Sequence, residues 1–293
     1  VAAYAPLHSQ GRPLGLLGLS SGPAADDAPT DAVAQGLSAA IDFAAVSAAL
    51  LGPGLRQRFE LHTSQAELRR VLDGDGFTPV FQPVIDLARG AIVGYETLTR
   101  FADGAAPQRR FAEAARVGMG HAFERATMAA ALTAAAALRD VWISVNVSPG
   151  FLAAGGVEGL PRSATCSLVL ELTEHDPVDD YAEIRRAIQR LDGVRLSIDD
   201  AGAGYACLTH VLTLGPAFVK LDRGWVVGID ADPARQALVA GLQSFAERTG
   251  ATIIAEGIET EAELATLREL GVALGQGYLL GRPRPATALV ASG

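Results

Sequence analysis

The chain has 293 residues, 49% of them apolar, enough to bury the core of one large barrel or of two ordinary domains. Its 24 Lys and Arg face 33 Asp and Glu, a net charge of −9, which argues against binding nucleic-acid polymers or anionic membranes. Two cysteines, Cys166 and Cys207, make no disulfide framework, and the five scattered histidines lack zinc-ligand spacing. A small phosphate ligand stays open, because metal ions can supply local positive charge. No basic stretch followed by an apolar one opens the chain, and no apolar run reaches the length of a membrane span. The expectation is a soluble, cytoplasmic protein. The chain opens in mid-pattern at Val1, which suggests a piece of a longer protein.

Residues 1–54 read as an N-terminal segment. Gly11-Arg12-Pro13 is a turn signal, Leu14–Leu19 a short strand, and Ser20–Thr30 a loop rich in Gly, Pro, Ala and Asp. Thr30 or Asp31 caps a helix to about Leu51, with Pro53 and Gly54 as its stop. One strand and one helix are too little for a free-standing core. They resemble the last strand and helix of a small GAF-like sensory domain; the other reading is an extension packed on the main domain. Residues 55–76 read as a linker helix, with Ser64 as a cap.

Residues 77–288 alternate strand and helix patterns. Strands are expected at Pro79–Ile85, Ile92–Leu98, Val141–Val147, Ser167–Leu172, Val194–Ile198, Phe218–Leu221, Thr252–Ala255 and Val272–Leu274. Helices are expected at Arg110–Met119, His121–Arg139, Val178–Leu191, Pro233–Arg248 and Glu259–Leu270. Eight strands interleaved with helices over about 210 residues predict an α/β fold, a (β/α)₈ TIM-like barrel. The join at Ala88–Gly90 is too short for a helix, so the first two strands are expected to be antiparallel.

Most of these strands stay apolar until their last residues and then present a polar group. Glu96 comes near the end of the second, Asn146 of the third and Glu171 of the fourth. Asp199 and Asp200 end the fifth, Lys220 and Asp222 the sixth, Glu256 the seventh, and Gln276 follows the eighth. A lone strand-end acid is more often a helix cap or an ion-pair partner. A ring of them is different, because barrel strands deliver these ends to one mouth. Carboxylates gathered there repel unless cations neutralise them. Oxygen donors favour Mg²⁺ or Mn²⁺ over zinc, and two such ions about 3.5–4 Å apart suit phosphodiester cleavage.

From about Phe77 to Pro285 the chain resembles the EAL-domain family of cyclic-di-GMP phosphodiesterases. The resemblance rests on FQPVID, ETLTR, NVSP, ELTE, DDAGAGY, KLD, AEGIET and QGYLLGRP in that order. It implies hydrolysis of cyclic di-GMP to linear pGpG, in a barrel that forms homodimers. It implies a first metal on Glu96, Asn146, Glu171 and Asp199, and a second on Asp199, Asp200 and Glu256. Lys220 would position the attacking water, with Asp222 in support; Glu256 has a second possible role as general base. Gln82, Arg100 and Gln276 would touch the dinucleotide, though an ion pair is an equal reading of Arg100. Glu174 and Glu259 are supporting residues in this scheme. The alternative is a catalytically weak module that senses cyclic di-GMP or a partner.

The chain departs from the family pattern in places. The signature reads Glu96-Thr97-Leu98, which keeps the ligand. After Asp200 the loop reads AGAGYACL, with Ala201 and Ala203 where the family carries a phenylalanine and a hydroxyl residue. A loop more mobile than usual over 201–207, ordered by dimerisation or by a signal from the N-terminal part, is the expectation. The connection after Arg100 is short and lacks the family's usual aromatic and His-Pro.

Overall fold

The computed structural model describes residues 2–9, 11–20, 30–163, 165–173, 178, 180–201 and 205–290; within these, the side chains of residues 2–3, 9, 12, 19–20, 30–36, 200–201 and 205–207 lie outside the description. The chain forms two compact units, Val1–Arg70 and Val71–Gly293.

In the first unit, β1 (Ala2–Ser9) and β2 (Arg12–Ser20) form an antiparallel hairpin. Only the second strand is expected from sequence. Helix α1 (Thr30–Asp73) follows. Its Ala40 and Ala44 are buried with Ala5, and Leu7 and Leu17 pack against them. Small side chains let the helix approach the hairpin closely. Pro53 does not end the helix, contrary to the sequence expectation; it sits inside it. An interior proline costs about 3 kcal/mol, and Ala- and Leu-rich turns before it and charged helix formers after it carry α1 through.

Helix α1 also carries the one stretch among the described residues that is long and apolar enough to cross a membrane by length and composition. It lies within Leu37–Asp73, with mean hydropathy 1.5 in its best window. Alanines raise the mean without forming an uninterrupted run of large apolar residues. Length and composition alone do not separate a span from a helix that packs on protein.

The second unit is a closed eight-stranded barrel. Its strands are β3 (Phe77–Asp86), β4 (Ala91–Phe101), β5 (Val141–Val147), β6 (Cys166–Leu172), β7 (Arg195–Ala201), β8 (Phe218–Leu221), β9 (Thr252–Ala255) and β10 (Leu274–Gly275). They close in the order β10-β3-β4-β5-β6-β7-β8-β9. Strand β3 is antiparallel to both neighbours, and β4 through β10 are mutually parallel. The short turn after Asp86 thus does what its length requires.

The connecting helices are α2 (Pro107–Arg116), α3 (Gly120–Ala135), α4 (Pro149–Ala153), α5 (Tyr181–Gln189), α6 (Tyr205–Leu214), α7 (Arg223–Val226), α8 (Pro233–Thr249), α9 (Glu261–Glu269) and α10 (Ala286–Val290). Their apolar residues, such as Met128, Leu132, Ile184, Val239 and Leu264, join strand residues such as Ile143, Leu170, Ile198 and Leu221 in one core.

A smaller cluster of Val84, Trp142, Val169, Phe218 and Ile254 fills part of the barrel. The Trp142 and Phe218 rings stack at 5.1 Å, and the Arg195 guanidinium lies 4.9 Å from the Phe218 centroid. Gly94 faces Trp142 in register, and a Cβ there would fall 2.2 Å from the indole. Gly94→Ala should therefore destabilise the barrel by about 3 kcal/mol or more, because overpacking forces the ring out of its place. Denaturant titration followed by tryptophan fluorescence reads this directly. An unchanged midpoint would show that the indole has room to shift.

Candidate active site

The polar strand ends meet at one mouth of the barrel. Register explains why. Gln82 on β3 pairs with Glu96 on β4, Glu96 with Ser144 on β5, and Glu171 on β6 with both Asn146 on β5 and Ser197 on β7. The pairing of β7 with β8 is irregular between Ile198 and Ala201, so Asp199 and Asp200 fall in a bulge. Bulges re-aim side chains next to active sites.

Lys220, near the end of β8, is the hub. Its Nζ lies 2.6 Å from Glu256, 3.2 Å from Asp199 and 3.3 Å from Glu96, and it also contacts Glu171 Oε1. Glu171 is fully buried and Lys220 is 3% exposed. Gln276 Nε2 donates to Glu96 Oε2 at 2.6 Å and to Glu256 Oε1 at 2.9 Å. Gln276 is thus engaged with two proposed ligands. Its backbone position is fixed by Ala255, whose carbonyl accepts from Gln276 N. Gly277 brings the next loops together: a Cβ there would meet the Ile258 carbonyl oxygen at 2.1 Å.

The electrostatics follow from this geometry. Burial pushes the Glu171 carboxyl well above the usual carboxylate range; Lys220 pulls it down, while Glu96, Asp199 and Glu256 push it further up. Burial likewise raises Glu256 to about 8, against Lys220 and with help from Asp199 and Glu96. For Lys220 burial acts downward, but Glu171, Glu256, Glu96 and Asp199 outweigh it and hold the ammonium well above its ordinary value. Four carboxyl groups around one ammonium are more acid than one cation can neutralise, so some hold protons here, and further cations would be attracted in their place.

The residues fit a hard divalent ion. Carboxylate oxygens of Glu96, Glu171 and Glu256 lie within 4.8 Å of one another. Glu171 Oε2 is buried with no hydrogen-bond partner among the described residues. A buried acceptor in that state is costly unless something binds it. Asn146 is exposed at the rim.

The other expected residues are placed as follows. Gln82 is buried, and its amide donates to the Gly281 carbonyl at 3.2 Å. Arg100 is exposed, with its guanidinium on the Thr99 carbonyl. Asp222 accepts from Gly224 N at 2.8 Å and caps α7. Glu259 pairs with Arg223 at 2.9 Å on the surface. Glu174, the side chain of Asp200 and residues 202–204 of the loop expected to be mobile lie outside the described residues, while Ala201 ends β7 and Tyr205 opens α6.

Sequence reading missed several contributors. Thr97 replaces the alanine of the usual signature, and its buried hydroxyl donates to the Ser144 carbonyl at 2.7 Å, tying β4 to β5 beside Glu96. Buried Glu263 accepts from Gly228, Glu259 and Thr260 N–H groups, joining the loops after β8 and β9. Burial alone would raise its carboxyl, but the backbone hydrogen bonds together outweigh it and hold the group below the usual range. The Thr260-x-x-Glu263 capping box was readable; its link to Gly228 was not.

A closed barrel, parallel but for β3, with acids and a lysine at the mouth formed by its strand ends belongs to the class of (β/α)₈ proteins that carry their sites there. A family model described as the EAL domain matches residues 65–283, and the chain belongs to that family. An uncharacterised protein of Mycobacterium tuberculosis is 29% identical over 304 residues, covering 93% of this chain and 48% of that protein. The chain thus spans about half the length of that relative. Cyclic di-GMP phosphodiesterase PdeL of Escherichia coli is 29% identical over 237 residues, 75% of this chain and 66% of its own. Among solved structures, the manganese/cyclic-di-GMP complex of Klebsiella pneumoniae BlrP1 is similar at TM-score 0.64 and 27% identity, over 73% of this chain and 57% of that one.

Proposed function

We propose that this domain hydrolyses cyclic di-GMP to linear pGpG with Mg²⁺ or Mn²⁺ as cofactor. The observation that carries the reading is the Lys220-centred cluster, with its excess of buried acids and the unpartnered Glu171 oxygen. Relatives and structural neighbours named for cyclic di-GMP support the substrate.

Glu96, Asn146, Glu171 and Asp199 would hold one ion, and Asp199, Asp200 and Glu256 a second. When bound, such ions neutralise phosphoryl charge and make water a better nucleophile. Lys220 would orient the attacking water, and Glu256, if it is not held as a ligand, would take its proton. The water oxygen bonds to phosphorus as the P–O3′ bond breaks, and the proton taken from the water is passed to the leaving O3′. Gln276 spaces Glu96 from Glu256, and Asp222 fixes the chain leaving β8. Arg100, with a planar fork, and Gln82 serve the dinucleotide. A cytoplasmic homodimer is part of the same reading.

The test is product analysis after incubation with cyclic di-GMP. Mg²⁺ or Mn²⁺ should give pGpG, EDTA none, and Ca²⁺ little, because it prefers longer bonds and more ligands. Full turnover in EDTA sinks the metal reading; tight binding without pGpG in Mn²⁺ leaves a sensor.

A further inference from the structure

Helix α3 grips the segment that leaves β5 immediately after Asn146. Glu124 Oε2 accepts from Ser148 N at 2.9 Å, and its Oε1 accepts from Ser148 Oγ at 2.7 Å. Ser148 Oγ in turn accepts from Phe151 N and caps α4. The neighbouring Arg125 donates to the Gly156 carbonyl at 2.8 Å, and the His121 ring lies 5.5 Å from that of Phe151. One helix face thus holds both ends of the 148–156 turn.

Asn146 needs such a hold. It is exposed, so packing does not fix its side chain, whereas Val145 and Val147 on either side are buried. Its backbone is paired with Glu171 of β6, and past Val147 the course of the chain depends on the holds beyond the strand. The Glu124–Ser148 pair sets that course two residues on. Outer partners of this kind orient ligands and tune affinity, and the tolerance at such sites is about 0.5 Å.

We propose that Glu124 is a positioning residue of the metal centre, acting through Ser148 on the aim of Asn146. This rests on Asn146 being a ligand, as in the proposed function. Charge is not the essential property. A glutamine can accept from Ser148 N–H and donate to Ser148 Oγ, which keeps both contacts.

The test measures Mn²⁺ binding by calorimetry on the whole chain, with circular dichroism and melting to confirm folding. Glu124→Ala should weaken Mn²⁺ about tenfold, and Glu124→Gln should stay within about threefold. Asn146→Ala should weaken it at least as much as Glu124→Ala. The double variant Glu124→Ala/Asn146→Ala should be no weaker than Asn146→Ala alone, because both changes remove the same ligand. If Glu124→Ala does not fold, Ser148→Ala replaces it in the cycle. That change deletes one of the two contacts and should cost about threefold. Unchanged affinity in Glu124→Ala or, where that variant does not fold, in Ser148→Ala overturns the proposal, as do losses that add in the double variant or an Asn146→Ala protein that binds normally. If the natural protein binds no Mn²⁺, the metal reading itself fails and this inference falls with it.

Discussion

Lys220→Ala should lower turnover about a thousandfold, and after chelation it should lower stability by about 3–5 kcal/mol. Both effects come from one ammonium with four carboxylate neighbours, three of them at 2.6–3.3 Å, at 3% exposure. Removing the cation leaves buried acids that face one another across a dry space. Some will take up protons, and the rest will repel. Added Mn²⁺ should restore much of the stability, since it can neutralise the same oxygens. It should not restore turnover if Lys220 orients the water. Denaturation with and without Mn²⁺, beside kcat at saturating metal, separates the two roles. Turnover within about tenfold of the natural protein would remove Lys220 from the chemistry. Unchanged stability in chelator would mean that Glu96 and Asp199 need no cation beside them either.

The barrel was legible because its strands are short apolar runs bounded by turn signals, and most present a polar residue at or just past their ends. Val141–Val147, Phe218–Leu221 and Thr252–Ala255 fall where the sequence puts them. The antiparallel start was legible from the length of the turn before Ala91. Local rules failed where tertiary context or helix length overrode them. Pro53 is a helix stop by rule, yet α1 runs through it. Strand β1 carries Ala and Pro in place of large β-branched residues, so its pattern is faint. Helix α4 has a Ser-Pro start, but five residues show no periodicity.

At the site, sequence supplied the residue types but not their partners. Gln276 reads as a substrate contact, and nothing in the sequence shows that its amide also bridges Glu96 and Glu256, the first of these 180 positions away. Glu124 looks like any helix surface acid. Its partner Ser148 lies 24 residues on, across a strand and a loop. Such pairings are set by how the barrel closes, and no local pattern encodes them.

In weakly buffered solution near neutral pH, Mn²⁺ binding should release protons, and its apparent affinity should rise about tenfold per pH unit for each proton released. Burial raises Glu256 to about 8 and lifts Glu171 in the same direction. Below about 8 an ion must therefore displace a proton to reach the Glu256 carboxylate, and above it the competition ends. Stability after chelation should move the other way. A carboxyl raised on folding favours the folded state below its unfolded value, and that contribution is lost as pH rises through about 8. The raised Lys220 contributes in the same sense but loses its share only above the ordinary ammonium range, outside this window. Melting temperatures between about pH 6 and pH 9 should thus fall in chelator, and the gain on adding Mn²⁺ should widen. Calorimetry in two buffers of different ionisation enthalpy counts the protons, and the paired melts test the divergence. Buffer-independent heats together with parallel melting curves would mean that Glu256 and Glu171 are already ionised, and the account of the buried cluster would be wrong.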